Sequence, residues 1–158
     1  MSVDDDLSID EEPATGAAAQ HCLQCYYREL DERFATGFDP GKSILGSLDE
    51  FAPPRGSFLV MRMAGKPVGC GGLTPLADGA AYLKRMWIAP EARGGGLARR
   101  LLGALEDKAR SLGYRMVKLE TNEALTEAQQ LYRSSGYAEV TPFNDEFYAH
   151  HWFEKPIR

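Results

Sequence analysis

The 158-residue sequence has no apolar run near the roughly 18 residues of a membrane span, which excludes a transmembrane helix. Its N-terminus also lacks the basic start and apolar middle of a secretory signal, so a cytoplasmic location is the default expectation. Nor does it have the cationic excess of a nucleic-acid binder: 18 lysines and arginines face 23 acids, for a net charge of −5. Much of that deficit lies in Asp4, Asp5, Asp6, Asp10, Glu11 and Glu12, so residues 1–12 are expected to form a solvated, flexible tail. Cysteine is scarce and odd in number (Cys22, Cys25 and Cys70), which fits a reducing compartment better than a disulfide framework. Cys22 and Cys25, beside His21, form a C-x-x-C, but no second Cys or His pair stands at ligand spacing, and no metal is assigned. Two phosphate loops are absent as well. There is no Gly-Lys-Ser/Thr ending, and Arg99 stands where the last glycine of a dinucleotide fingerprint would be.

What is present reads as one domain over residues 13–158, a length sufficient to bury one core. Cys22, Leu23, Tyr26, Tyr27, Leu30 and Phe34 recur at helical spacing and predict an amphipathic helix from Ala17 to about Ala35. A short helical segment around Ile44 to Phe51 follows, and Pro53-Pro54 forces an extended connection. Ser57 to Met63 and Val68 to Leu73 predict a hairpin turned at Ala64-Gly65-Lys66, with a third strand over Ala80 to Ile88. Leu97, Leu101, Leu102, Leu105 and Ala109 mark a helix ending at Gly113. Met116 to Thr121 then forms a strand parallel to the third by crossover geometry. Thr126 with Gln129 suggests a capping box for a last helix that stops at Gly136. Strands near Tyr137 to Val140 and His150 to Lys155 close the chain. The fold class is α+β, a mixed sheet of six to seven strands flanked by about four helices.

Pro90-Glu91-Ala92-Arg93-Gly94-Gly95-Gly96-Leu97-Ala98 joins a strand to a helix, where backbone N–H groups and the helix dipole can hold a phosphate. Successive glycines let the backbone adopt positive φ and approach a diphosphate closely, while Arg93, Arg99 and Arg100 add cationic charge.

Arg93-x-x-Gly96-x-Ala98 resembles the coenzyme A signature of the Gcn5-related N-acetyltransferases (GNAT), and Ala128-x-x-Leu131-Tyr132-x-x-x-Gly136-Tyr137 is similar to the family's later motif at its usual distance. The resemblance runs from about Phe58 to the C-terminus. It implies a GNAT-like fold and an acetyl-CoA-dependent transfer of an acetyl group to a primary amine of a small molecule. The cofactor side would comprise Met86, Trp87 and Ile88 along the pantetheine arm, with Arg93, Gly94, Gly95, Gly96, Leu97, Ala98 and Arg99 at the diphosphate. No metal is implied.

Acetyl transfer needs a neutral amine, and an alkyl amine with a pKa near 10.4 is mostly protonated at neutral pH. Tyr132 is the candidate general acid for the leaving thiolate. The base is open: Tyr82 stands where many family members carry a glutamate, and Tyr82 through water, Glu120, His150 or His151 could each serve. Phe34, Phe38, Phe143, Phe147 and Tyr148 could line the acceptor site, with Asp145 and Glu146 attracting a cationic amine. Alternative functions are a non-catalytic acyl-CoA sensor or transfer to a protein lysine or N-terminus. An exposed C-terminal strand could pair two chains into a homodimer.

Overall fold

The computed structural model describes residues 6–44 and 46–158. Seven strands form one sheet in the order β1-β2-β3-β4-β5-β7-β6, the strands numbered along the chain as Leu7–Glu11, Ser57–Met63, Lys66–Pro75, Ala81–Ile88, Met116–Thr121, Ala138–Val140 and His151–Pro156. Among the described residues three α-helices accompany the sheet: α1 (Ala17–Arg33), α2 (Leu97–Ser111) and α3 (Thr126–Ser134), with short 3-10 turns at Pro40–Lys42, Leu48–Phe51 and Pro90–Ala92. The mixed sheet is that of the resemblance, with one helix fewer than the four expected, since the segment before Phe51 makes only a 3-10 turn. Among the described residues no helix is long and apolar enough to cross a membrane.

The strands form where β-branched, aromatic and long apolar side chains alternate or run together. The helices form where such residues repeat every three or four positions. In α2 the buried face is Leu97, Leu101, Leu102, Leu105 and Ala109, as the spacing predicts. The helix ends where Gly113 turns with φ +92° and the Tyr114 N–H reaches back to the Ala109 carbonyl. Leu101, Leu105, Phe58, Met61, Leu73, Leu119 and Phe153 are almost fully buried and form the centre of the core.

Two findings depart from the sequence reading. The acidic opening contributes an edge strand, because Leu7 and Ile9 pack against the core while Glu11 accepts from Ser57 Oγ at 2.5 Å and Glu12 pairs with Arg62. Apolar alternation and ion pairing thus outweigh the local charge in residues 7–11, whereas Asp4 and Asp5 lie outside the described residues. The capping box at Thr126 does not form either. Asn122 Oδ1 caps the turn at the Ala124 N–H (2.8 Å), and Gln129 donates to the carbonyls of Asn122 and Glu123 at 3.2 and 3.1 Å.

The feature that makes a site is a split in the sheet. β4 and β5 run parallel and pair only at Ala81–Val117 and Tyr82–Lys118. Beyond that β4 stays with β3, and β5 stays with β7 from Met116 to Thr121, so the two strands diverge toward their C-terminal ends. An irregularity on β4 adds to this: Cys70 faces Trp87 but Gly72 faces Lys84, leaving an extra residue and putting Arg85 at φ +59°.

Candidate active site

Between the diverging ends lies a cleft of about 550 Å³. Its walls are Met86, Trp87 and Ile88 of β4, Gly94 and Gly96 to Arg99 at the start of α2, and facing residues of α1 and α3. The glycine loop is shaped for an anion: Gly94 and Gly96 have φ of +91° and +77°, and the N–H groups of Gly94 to Arg99 have no hydrogen-bond acceptor among the described residues. A Cβ added at Gly95 would meet nothing within 4 Å, so a side chain there would project into open space.

The arginines divide their work. Arg93 braces the loop, with Nε donating to the Ile88 carbonyl at 2.9 Å and Nη2 to both Glu29 oxygens at 2.6 and 2.8 Å. Glu29 also accepts from Trp87 Nε1 at 3.3 Å, which ties α1 to β4. Arg99 donates to the Ser135 and Ser134 hydroxyls at 3.0 and 2.8 Å, holding α2 to the end of α3. Arg33 pairs with Glu127 and donates to the Ala124 carbonyl at 2.9 Å, joining α1 to α3.

A second, narrower cavity of about 120 Å³ shares Tyr26, Leu30, Met86, Leu125, Ala128 and Tyr132 with the cleft. Tyr132 therefore stands at the junction. Its hydroxyl has one partner among the described residues, the Met86 thioether at 4.0 Å. Burial and the charge of Glu120 hold its phenol well above the ordinary value, so at neutral pH it keeps its proton.

Phe34, Phe38 and Tyr148 line the narrow cavity as a packed trio, with Tyr148 5.3 Å from Phe34 and 5.0 Å from Phe38. Phe143 does not line it; its ring packs edge-to-face with Tyr82, centroids 5.9 Å apart. Phe147 is exposed on the loop above. Glu146 lines the cavity while holding Ser43 and the N–H groups of Ile44 and Tyr148.

At the floor, Tyr82 donates a hydrogen bond to Glu120 Oε1, and Asn144 Nδ2 donates to the Tyr82 hydroxyl at 3.0 Å. Glu120 Oε2 is buried and accepts no hydrogen bond among the described residues. Burial raises the Glu120 pKa to about 7, against the opposing pull of the Tyr82 hydrogen bond. Tyr82 itself is pushed well above the ordinary phenol value by burial and by the Glu120 charge. Neither His150 nor His151 lines either cavity: His150 Nδ1 accepts from the Glu123 N–H at 3.0 Å, and His151 lies 2.7 Å from Glu139.

The sequence reading did not single out Asn144, Lys84 or Arg85, although the last two also line the narrow cavity. A visible signal was available: two adjacent cations interrupt the otherwise apolar strand Ala81–Ile88. Asn144 carries no such signal, because only the fold brings its loop to Tyr82.

Residues 20–137 match the family model described as the acetyltransferase (GNAT) family. An IAA acetyltransferase of Azospirillum brasilense is 38% identical over 116 residues, spanning 73% of this chain and 76% of that protein. The crystal structure of a GNAT-family acetyltransferase from Staphylococcus aureus superposes with a TM-score of 0.79 at 16% identity, covering 96% of this chain and 99% of the other. A GNAT-family acetyltransferase from Elizabethkingia anophelis, crystallised with acetyl-CoA bound, superposes at 0.66 with 14% identity, covering 97% and 98%.

Proposed function

The chain belongs to the acetyltransferase (GNAT) family, and from that premise we propose that it transfers the acetyl group of acetyl-CoA directly to a primary amine of a small molecule, with Glu120 as base and Tyr132 as acid. The observation that supports this most is the junction at Tyr132, where a cleft suited to a coenzyme meets a cavity holding a carboxylate of raised pKa.

The residues of the cleft fit the coenzyme. Gly94 to Arg99 present N–H groups that have no acceptor among the described residues at the N-terminus of a 15-residue helix, which suits a diphosphate. Met86, Trp87 and Ile88 lie where β4 has lost its pairing with β5, so their main chain would take the pantetheine amides as a further strand would. When bound, acetyl-CoA supplies an activated acetyl group and a thiolate leaving group.

Glu120 removes the proton from the acceptor ammonium. Its Oε1 is held by Tyr82, while Oε2 is buried and accepts no hydrogen bond among the described residues. Taking a proton from an ammonium of pKa near 10.4 costs about 5 kcal/mol when the base has a pKa near 7, against about 8 kcal/mol for an ordinary carboxylate. Burial of Glu120 therefore lowers the cost of making the amine nucleophilic.

Tyr132 donates its hydroxyl hydrogen to the leaving sulfur. The two roles are coupled, because the charge of Glu120 is one of the causes that hold Tyr132 above its ordinary pKa. Once Glu120 has taken up the amine proton, that charge is gone and Tyr132 becomes the stronger acid. Proton uptake on the acceptor side thus prepares proton donation on the coenzyme side. Tyr82 lacks a carboxylate of its own but positions one, which supports turnover over passive sensing of the coenzyme.

The test is calorimetric titration with acetyl-CoA followed by a free-thiol assay across small primary amines. Binding with amine-dependent thiol release is expected. Binding without release with any amine would turn the reading toward a sensor, and absence of binding would overturn the assignment of the glycine loop.

A further inference from the structure

We propose that Asn144 and Trp152 are positioning residues for the reaction: Trp152 fixes the Asn144 amide, Asn144 fixes the Tyr82 hydroxyl, and that hydroxyl is thereby committed as a donor to Glu120. This rests on the role of Glu120 as base proposed above and adds the residues that keep that base ready for a proton.

The order of donors begins at an indole. A tryptophan N–H can only donate, so the Asn144 atom 2.9 Å from Trp152 Nε1 is the amide oxygen. The main-chain N–H of Glu146, 3.2 Å from the same atom, requires the same assignment. With its oxygen taken by two donors, the amide turns its nitrogen the other way. Nδ2 lies 3.0 Å from the Tyr82 hydroxyl and 3.5 Å from Glu120 Oε1. An amide nitrogen cannot accept, so the Tyr82 oxygen receives this bond and the Tyr82 hydrogen is left for Glu120 Oε1. Were the amide reversed, its oxygen would compete with Glu120 for that hydrogen and set a second acceptor beside the carboxylate. The sheet supplies the geometry: Trp152 of β7 stands opposite Glu120 of β5, and Asn144 lies on the loop that leads into β7.

The direction of donation matters because the base is buried. Burial favours the protonated acid, which cannot take a proton from an amine, whereas hydrogen bonds to the carboxylate favour the charged form. The Tyr82 bond and, after it, that of Asn144 pull Glu120 back toward ionisation. A chain of aligned donors also strengthens each of its members. The other ionisable groups around Glu120 are Lys84 of β4, Tyr26 of α1, Tyr132 of α3 and Glu146 of the loop before β7. On β7 itself, His151 is turned to Glu139.

The experiment follows the Glu120 carboxyl by 13C NMR as pH is varied, with the signal assigned by its loss in Glu120→Gln, beside the pH dependence of kcat/KM. Tyr82→Phe should move the Glu120 midpoint up by about one pH unit or more, the scale of a hydrogen bond to a charged group. Asn144→Leu should move it up by less, and so should Trp152→Phe, which keeps an aromatic ring and drops the N–H. The double variant of Tyr82→Phe with Asn144→Leu should match Tyr82→Phe alone, because Asn144 acts through Tyr82. In each variant the acid limb of kcat/KM should move with the midpoint. A midpoint unmoved in both Asn144→Leu and Trp152→Phe, or single shifts that add in the double variant, would overturn the relay while leaving Glu120 as base. A midpoint that moves while the acid limb stays in place would instead overturn Glu120 as base, with the order of donors upheld.

Discussion

On one side of Tyr132, the wide cleft draws much of its wall from a single stretch, Met86 to Arg99, and offers main-chain groups and backbone shape. On the other, the narrow cavity gathers Phe34, Tyr82, Lys84, Glu120, Glu146 and Tyr148 from four separate segments and offers aromatic and charged residues. The first arrangement suits a ligand that never changes, since backbone N–H groups are the same whatever the residue. The second suits chemistry and selection, because each wall residue can change without disturbing the sheet that carries it. Coenzyme binding and turnover should therefore separate cleanly under mutation.

The sharpest separation is expected at the junction. Tyr132→Phe removes the proton donor and should lower kcat about 10²-fold to 10⁴-fold, with acetyl-CoA affinity by titration changed no more than about threefold. A variant that loses affinity in step with kcat would make Tyr132 a binding residue and erase the boundary between the regions. A smaller effect with the opposite split is expected in the loop. Gly95 lacks the positive φ of Gly94 and Gly96, and a Cβ there meets no protein atom, so Gly95→Val should fold with an unaltered melting temperature. Its side chain would stand where the coenzyme must approach, raising the acetyl-CoA Kd about tenfold or more. Retained affinity in a folded Gly95→Val protein would show that the diphosphate is held elsewhere.

The same contrast explains what was legible in the sequence. Arg93-x-x-Gly96-x-Ala98 and the helix motif through Tyr132 are contiguous, so the glycine loop between strand and helix and the order of elements could be read directly; Met116–Thr121 agrees to the residue. The acceptor side depends on long-range packing. Glu120 looks like any acid near a strand end until burial lifts it to about 7 and Tyr82 is seen to hold it. A histidine suits a base by its residue type, yet the fold turns His150 to the surface at the end of β5. Asn144 lies in a loop with no pattern at all, and only the return of β7 alongside β5 brings that loop over Tyr82. At the N-terminus, charge composition masked the Leu7 and Ile9 alternation that makes β1.

The most direct test of Glu120 as base is the pH dependence of kcat/KM for amine acetylation by the native protein beside Glu120→Gln. The carboxylate must be ionised to accept a proton, so native activity should fall as pH drops through about 7, and Glu120→Gln should be at least about a hundredfold slower with that limb absent. A Glu120→Gln protein that keeps both the native rate and the acid limb near pH 7 would contradict the assignment and move the base elsewhere.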